Sequence, residues 1–450
     1  MTRKQGKRKE GQGSALDPLR AAALRTPSLK NGCPEALGLW RVKGRALALA
    51  FLLSACASTT YNLPPKTLNE TEYTAIYPYY VEFCALSETR KKKGSAVDIE
   101  GGGPGGHSVL YLNNVCRIRD ALYPEIAVCD SKDGVGLSVN AHFSNANWIA
   151  TEGRDFFWHG DLAPGEPVTQ ASYARTQVRA ARMGILNGVT FHPEVLADKP
   201  IGMSDQDTMY ELSVATDYAI GFGRDRYCAR VPVDRPRMQS IVAYLNTVNA
   251  PYRSGQKTFD WDVLRNNCAH LTHNALAIVG LWPEWPIERS LLVAAFDFPV
   301  PKNEFVNLMR RINDLPISDP AAIYNDAATR DALLRQDWIA TRPGGLAEAE
   351  PAIRPNAMYE TKLRLIFFDE PIFGHYQERF EAIFTTPRYT DLRANLAHFA
   401  TLYSRILTAP ASTDPPAAFA QRYHDHIAAE KAELAAAMAR LRAATTTPNE

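Results

Sequence analysis

The spacing of hydrophobic positions changes several times along the chain, and the changes predict a mixed α and β protein. His107-Ser-Val-Leu-Tyr-Leu112 alternates well enough for a strand, with His107, Val109 and Tyr111 on one face. Residues 125–130 and 136–143 read as the next two strands, and 209–215 and 225–233 as two more. Helical spacing takes over at 73–87 and 172–187. It recurs at 235–248, where Met238, Ile241, Val242 and Leu245 share a face. Residues 144–200 are otherwise irregular, with aromatics at Phe156, Phe157 and Trp158. Beyond Pro286 the pattern is mostly helical. Pro- and Ala-rich linkers are expected at 341–356 and 409–416, and a last Ala/Glu/Arg helix at 417–444. There is no internal repeat.

Composition adds little: 450 residues, 46% hydrophobic and 22% charged, describe a globular chain of two or three domains. Charge adds more. The formal net of +1 divides into +8 over residues 1–55 and −7 over the rest. An acidic body without a basic stripe excludes a nucleic-acid partner, because phosphate binding needs clustered Lys and Arg. The run Arg90-Lys-Lys-Lys93 reads as a solvated loop.

Within the basic leader, Arg41, Lys43 and Arg45 precede Ala46-Leu-Ala-Leu-Ala-Phe-Leu-Leu53, followed by Ser54-Ala55-Cys56. A basic segment, a short apolar segment and small residues make a secretory signal. Ending in cysteine, it resembles the bacterial lipobox. That resemblance implies lipidation of Cys56 as the mature N-terminus, and Ala57 implies sorting to the periplasmic face of the outer membrane. Residues 1–40 are then an over-extended start or a disordered leader, 41–55 the signal and 56–72 a tether.

Three chemistries compete in the body. The glycines of 101–106 lack the Gly-Lys-Ser/Thr ending of a phosphate loop and precede a strand, so they read as a turn. His270/His273 lack an intervening Glu, and His424/His426 stand two apart on a helix, pointing away from each other. Both pairs read as surface histidines, not metal ligands. The third is Cys268. It follows Asn266-Asn267 at the start of an apolar helical face of Leu271, Ala275, Ile278 and Val279, with Gly280 as the stop. A helix N-terminus favours a thiolate and its amides can hold an oxyanion, with Asn267 and Ala269 as the oxyanion or cap candidates. His107 is the candidate base.

Gly-Gly-His-Ser-Val-Leu-Tyr-Leu at 105–112, followed by Asn-Asn-Cys-Ala-His-Leu at 266–271, resembles the circularly permuted branch of the NlpC-type papain-like superfamily. The nearest resemblance is to the Lnb-type N-terminal periplasmic domain, over residues 75–290. Ala269 stands where relatives often carry Thr or Ser. The resemblance implies an α+β fold: a permuted papain-like domain at 73–290 with an insertion at 144–200, its antiparallel sheet packed on a Cys-bearing helix. A helical region at 291–408 and a linker with terminal helix at 409–450 would extend it. It also implies Cys268 as nucleophile, His107 as base and a third polar residue orienting the histidine. Asp130 is expected in that place, with Asn140 or His142 as substitutes. The expected chemistry is cysteine-dependent acyl transfer or hydrolysis, without cofactor or metal, on a lipid, lipoprotein or peptidoglycan substrate. The rival is a non-catalytic envelope scaffold or binding lipoprotein that keeps this fold.

Seven cysteines remain to be assigned. With Cys33 in the leader, Cys56 lipidated and Cys268 reactive, four remain: Cys84, Cys116, Cys129 and Cys228. In an oxidising compartment Cys116 and Cys129, on adjacent antiparallel strands, can pair, leaving Cys84 with Cys228 by elimination. Four buried thiols are the alternative.

Overall fold

A computed structural model describes residues 56–59, 64–93, 106–119, 121–131, 133–263, 265–287, 300–361, 365–368, 375–410 and 414–446. The leader and the glycine loop up to residue 105 lie outside them. The strands are β1 (Cys56–Thr59), β2 (Tyr80–Leu86), β3 (His107–Asn113), β4 (Val115–Arg117) and β5 (Ile126–Val128). They continue as β6 (Gly134–Ser138), β7 (Ile149–Glu152), β8 (Arg226–Pro232), β9 (Leu346–Glu350) and β10 (Leu365–Phe368). Six of them form one sheet, in the order β7-β6-β3-β2-β8-β9, with every neighbouring pair antiparallel. Two small antiparallel pairs, β4-β5 and β1-β10, stand outside it. The α+β class read from the sequence is the class observed.

Several expected elements are corrected. The helix expected over 73–87 is a short helix, Glu70–Ile76, and then β2. All seven residues of β2 are buried, because it lies at the centre of a sheet covered on both faces, so its sequence shows no alternation. The strand expected at 209–215 is the end of helix Asp205–Ser213, capped by Ser204, whose hydroxyl accepts from the Asp207 amide. The linker expected at 341–356 contains β9. The region past 291 is therefore no separate helical extension; it completes the main sheet. Likewise the expected tether is partly a strand, since β1 pairs with β10. Lys91, within the expected solvated run, forms an ion pair with Glu211.

On one side of the sheet, Val81, Phe83, Leu110 and Leu112 pack beneath helices Cys268–Ala277 and Pro301–Asn313. Leu271, Ala275, Phe305 and Met309 belong to the same core. On the other side lie Tyr80, Cys84, Val109 and Tyr111, against Tyr73 and the C-terminal helices. This second side also carries charge. Glu82, 0% exposed, accepts from Arg154 at 2.7 and 3.1 Å and from Arg230 at 3.1 Å, and Glu348 of β9 lies 3.0 Å from Arg230. Buried ions persist only when paired.

Both disulfides weighed from the sequence are present: Cys84–Cys228 directly across β2 and β8, and Cys116–Cys129 beside the β4-β5 pair. Peptide mapping without reduction is expected to recover those two linked pairs, with Cys268 alkylated freely. Recovery of Cys84 or Cys228 as a free thiol would refute the pairing.

Candidate active site

Asn267 is the cap of the Cys268 helix. Its side-chain oxygen accepts from the amides of Ala269 (2.9 Å) and His270 (3.2 Å). The Ala269 amide is thereby occupied, which corrects its expected role as oxyanion donor. Asn267 works as the cap itself, and the Cys268 amide stays outside that cap. Cys268 is 7% exposed, and of the five cysteines whose side chains are described it alone is outside a disulfide.

His107 opens β3. The helix of Cys268 packs on that strand, and Ser108 Oγ lies 3.4 Å from Thr272 Oγ1, one turn beyond the cysteine. Side chains alternate along a strand, so His107 has the parity of Val109 and Tyr111, whereas Ser108 faces the helix. The imidazole Nε2 lies 2.9 Å from Ser138 Oγ, which donates to the Thr216 carbonyl at 2.7 Å. Ser138 is thus the histidine's hydrogen-bonded neighbour, and the expectation of Asp130 in that place is corrected. The Asp130 side chain is 79% exposed and is held at 2.6 Å by Arg235, beyond the end of β5. Asn140 donates instead to Asp217, at 2.7 Å. Burial keeps the Asp217 carboxyl up at about 6.

Two cations that carried no sequence motif stand at this end of the sheet. Arg224, just before β8, is 2% exposed and is anchored by donation to the carbonyls of Ala215 and Ser87, each at 2.6 Å. Burial brings it down to about 10. Lys302, in the first turn of the helix Pro301–Asn313, is 0% exposed. Burial, then Arg224, pushes its amine down to about 7, while Cys268 and Glu88 act in the opposite sense. Its ammonium lies against Gly106, where any side chain would collide with it and with the Leu86 carbonyl; the φ of +75° is also one glycine tolerates. Both cations act on His107, and Cys268 acts on each of them, although 161 residues of chain separate His107 from Cys268. His107 is held well below its ordinary range by burial, then by Arg224 and Lys302, and is neutral at neutral pH.

Of the four histidines read as surface residues, His270, His273 and His426 are buried, a correction, whereas His424 is exposed as expected. His273 stacks between Trp282 and Trp285, at 4.3 and 3.8 Å, and contacts Glu304 at 2.8 Å and the Pro283 carbonyl at 2.9 Å. His270 and His426 are 1% and 5% exposed. The metal-like grouping among the described residues is Glu82, Cys84 and Cys228, whose sulfurs are joined to each other. No helix among the described residues is long and apolar enough to cross a membrane.

No family model, curated protein or solved structure matches the chain.

Proposed function

We propose that the chain is a thiol-dependent acyltransferase or hydrolase of the bacterial envelope, anchored through a lipidated Cys56, with its sheet and Cys268 helix arranged as in permuted papain-like enzymes. The observation that carries the reading is the setting of Cys268: among the described cysteine side chains the one outside the disulfides, buried, and at a helix N-terminus capped by Asn267. Its sulfur attacks the carbonyl of an ester or amide, forming a thioester and expelling an alcohol or amine. His107, neutral and hydrogen-bonded to Ser138, is the proposed base that accepts the thiol proton and returns it to the leaving group. The thioester then passes its acyl group to water or to an amine. The Cys268 amide and Lys302 are suited to the oxyanion.

The test incubates purified protein with diacyl phospholipid, diacyl lipopeptide and muropeptide in separate reactions and reads intact mass. A hydroxylamine-labile acyl adduct on Cys268, absent from Cys268→Ala, is expected with one of the three. No adduct with any, and unchanged lipid and muropeptide profiles in a Cys268→Ala strain, would leave a binding or scaffold protein.

A further inference from the structure

A guanidinium taken out of water needs an anion. The two arginines of β8 obey that rule. Arg226 and Arg230, 5% and 1% exposed, meet Glu350 in the first case and Glu82 and Glu348 in the second. Arg224, two residues before Arg226 and 2% exposed, has no carboxylate within ion-pair distance among the described residues. Asp217 and Glu88 act on it only from farther away. The Asp217 carboxyl takes the Asn140 amide, and Glu88 lies 3.9 Å from Arg90. Nε and Nη1 of Arg224 each donate to a neutral carbonyl, and Nη2 has no hydrogen bond to a described residue. Its two anchors fix where the guanidinium stands. Ser87, which accepts from Nη1, directly follows Leu86, the cross-strand partner of His107. Ala215, which accepts from Nε, directly precedes Thr216, whose carbonyl holds the hydroxyl of Ser138, the His107 neighbour. Each anchor is one residue from a contact of His107, so the guanidinium stands beside the imidazole. Arg224 is, accordingly, the strongest charge acting on His107.

We infer that Arg224 is an anion subsite for the substrate: Nη2 takes an anionic oxygen, of a phosphate or a carboxylate, that the acyl donor carries near its scissile carbonyl. The inference rests on Cys268 and His107 being the acyl-transfer pair. Guanidinium suits such an oxygen because it stays charged and directs its N–H groups in a fixed plane. Two carbonyls hold that plane in place before any ligand arrives, so little ordering cost remains at binding. Enclosure strengthens the attraction by keeping competing water away. A neutral acyl donor would leave the cation as it stands, buried and without a partner anion.

The experiment titrates the full chain carrying Cys268→Ala, which binds without turnover, with matched probes in a calorimeter. One arm sets dihexanoyl phosphatidylglycerol against dihexanoylglycerol; the other sets a muropeptide with free carboxylates against its fully amidated form. In one arm the anionic probe is expected to bind at least about tenfold more tightly than its neutral partner, the strength of a charge-assisted hydrogen bond. The phospholipid arm would identify a phosphate, the muropeptide arm a carboxylate. Adding Arg224→Gln is expected to remove the preference while holding the neutral probe within about threefold; Arg224→Lys should keep part of it. Equal affinities in both arms, no binding of any probe, or a preference that survives Arg224→Gln overturns the inference. Acyl adducts on native Cys268 read the parent proposal separately. Adducts that form as fast from neutral donors as from anionic ones overturn the subsite and leave Cys268 as nucleophile, whereas no adduct from any donor removes both. Melts show whether the variants fold. Should neither Arg224 variant fold, phenylglyoxal labelling of the native chain decides: Arg224 is expected to react, and the anionic probe to slow that reaction at least about tenfold more than its neutral partner. Equal slowing by the two, or no labelling at all, overturns the inference.

Discussion

Cys268→Ala is expected to abolish acyl transfer, a loss of at least about 10³-fold, while leaving the melt within a few degrees of native. The two readouts separate because the thiol is small and the helix is capped by Asn267, which the substitution leaves in place. His107→Ala is expected to cost about 10²–10⁴-fold, the usual contribution of a positioned base. The pH dependence has a definite sign. Burial, aided by Arg224 and Lys302, keeps the folded His107 neutral well below the ordinary imidazole range. The acid limb of the native rate that reports His107 should therefore fall below about pH 6.5, where an exposed histidine would already be protonated. Stability follows the same group. The unfolded chain takes up its proton near pH 6.5 and the folded chain does not, so this contribution is intact above that pH and is lost as pH falls. An acid limb centred at 6.5 or higher, or a His107→Ala rate within threefold of native, would remove His107 from the proposed mechanism.

How much of the site the sequence disclosed depends on whether its residues are local. Cys268 was legible because its cap, thiol and apolar helical face lie within thirteen residues. His107 was legible because it opens an alternating strand. The Asp130 expectation treated the strand of Ile126 and Val128 as continuing, whereas β5 ends at Val128 and Arg235 draws Asp130 into solvent. Ser138 lies on a strand the sequence did indicate, but its hydroxyl meets His107 only through a pairing 31 residues away. Lys302 and Arg224 gave no signal. Each is a single basic residue in an otherwise unremarkable segment, and only the fold brings them together at the end of β2 and β3. The same holds for β9. Leu346-Ala-Glu-Ala-Glu350 has poor strand propensity, yet it is ordered beside β8, where Glu348 meets Arg230 and Arg154.

The buried ion network on the disulfide side makes the largest stability prediction. Glu82 sits in mid-strand, and both of its oxygens are used: Arg154 approaches in a two-pronged geometry, and Arg230 shares Oε1. Arg230 is in turn held by Glu348 at 3.0 Å and Glu70 at 2.7 Å, and its guanidinium lies over the rings of Tyr73 and Tyr80. Burial alone would raise the Glu82 carboxyl; Arg154 and Arg230 overcome it and hold the group far below the usual carboxylate range. Glu82→Leu keeps the bulk but leaves two guanidiniums facing Glu348 and a partly exposed Glu70, so denaturant melts should lose about 3–5 kcal/mol. The triple change Glu82→Leu, Arg154→Leu, Arg230→Met removes the stranded charges and should regain most of that loss. The sign with pH also follows. Glu82 stabilises the fold above the unfolded carboxylate range and loses that contribution as pH falls through its depressed folded value, so Glu82→Leu should flatten the acid side of the stability curve. A single-variant loss under about 1 kcal/mol would mean that Glu348 and Glu70 suffice for both arginines, and that Glu82 is not the anion around which this side of the sheet is built.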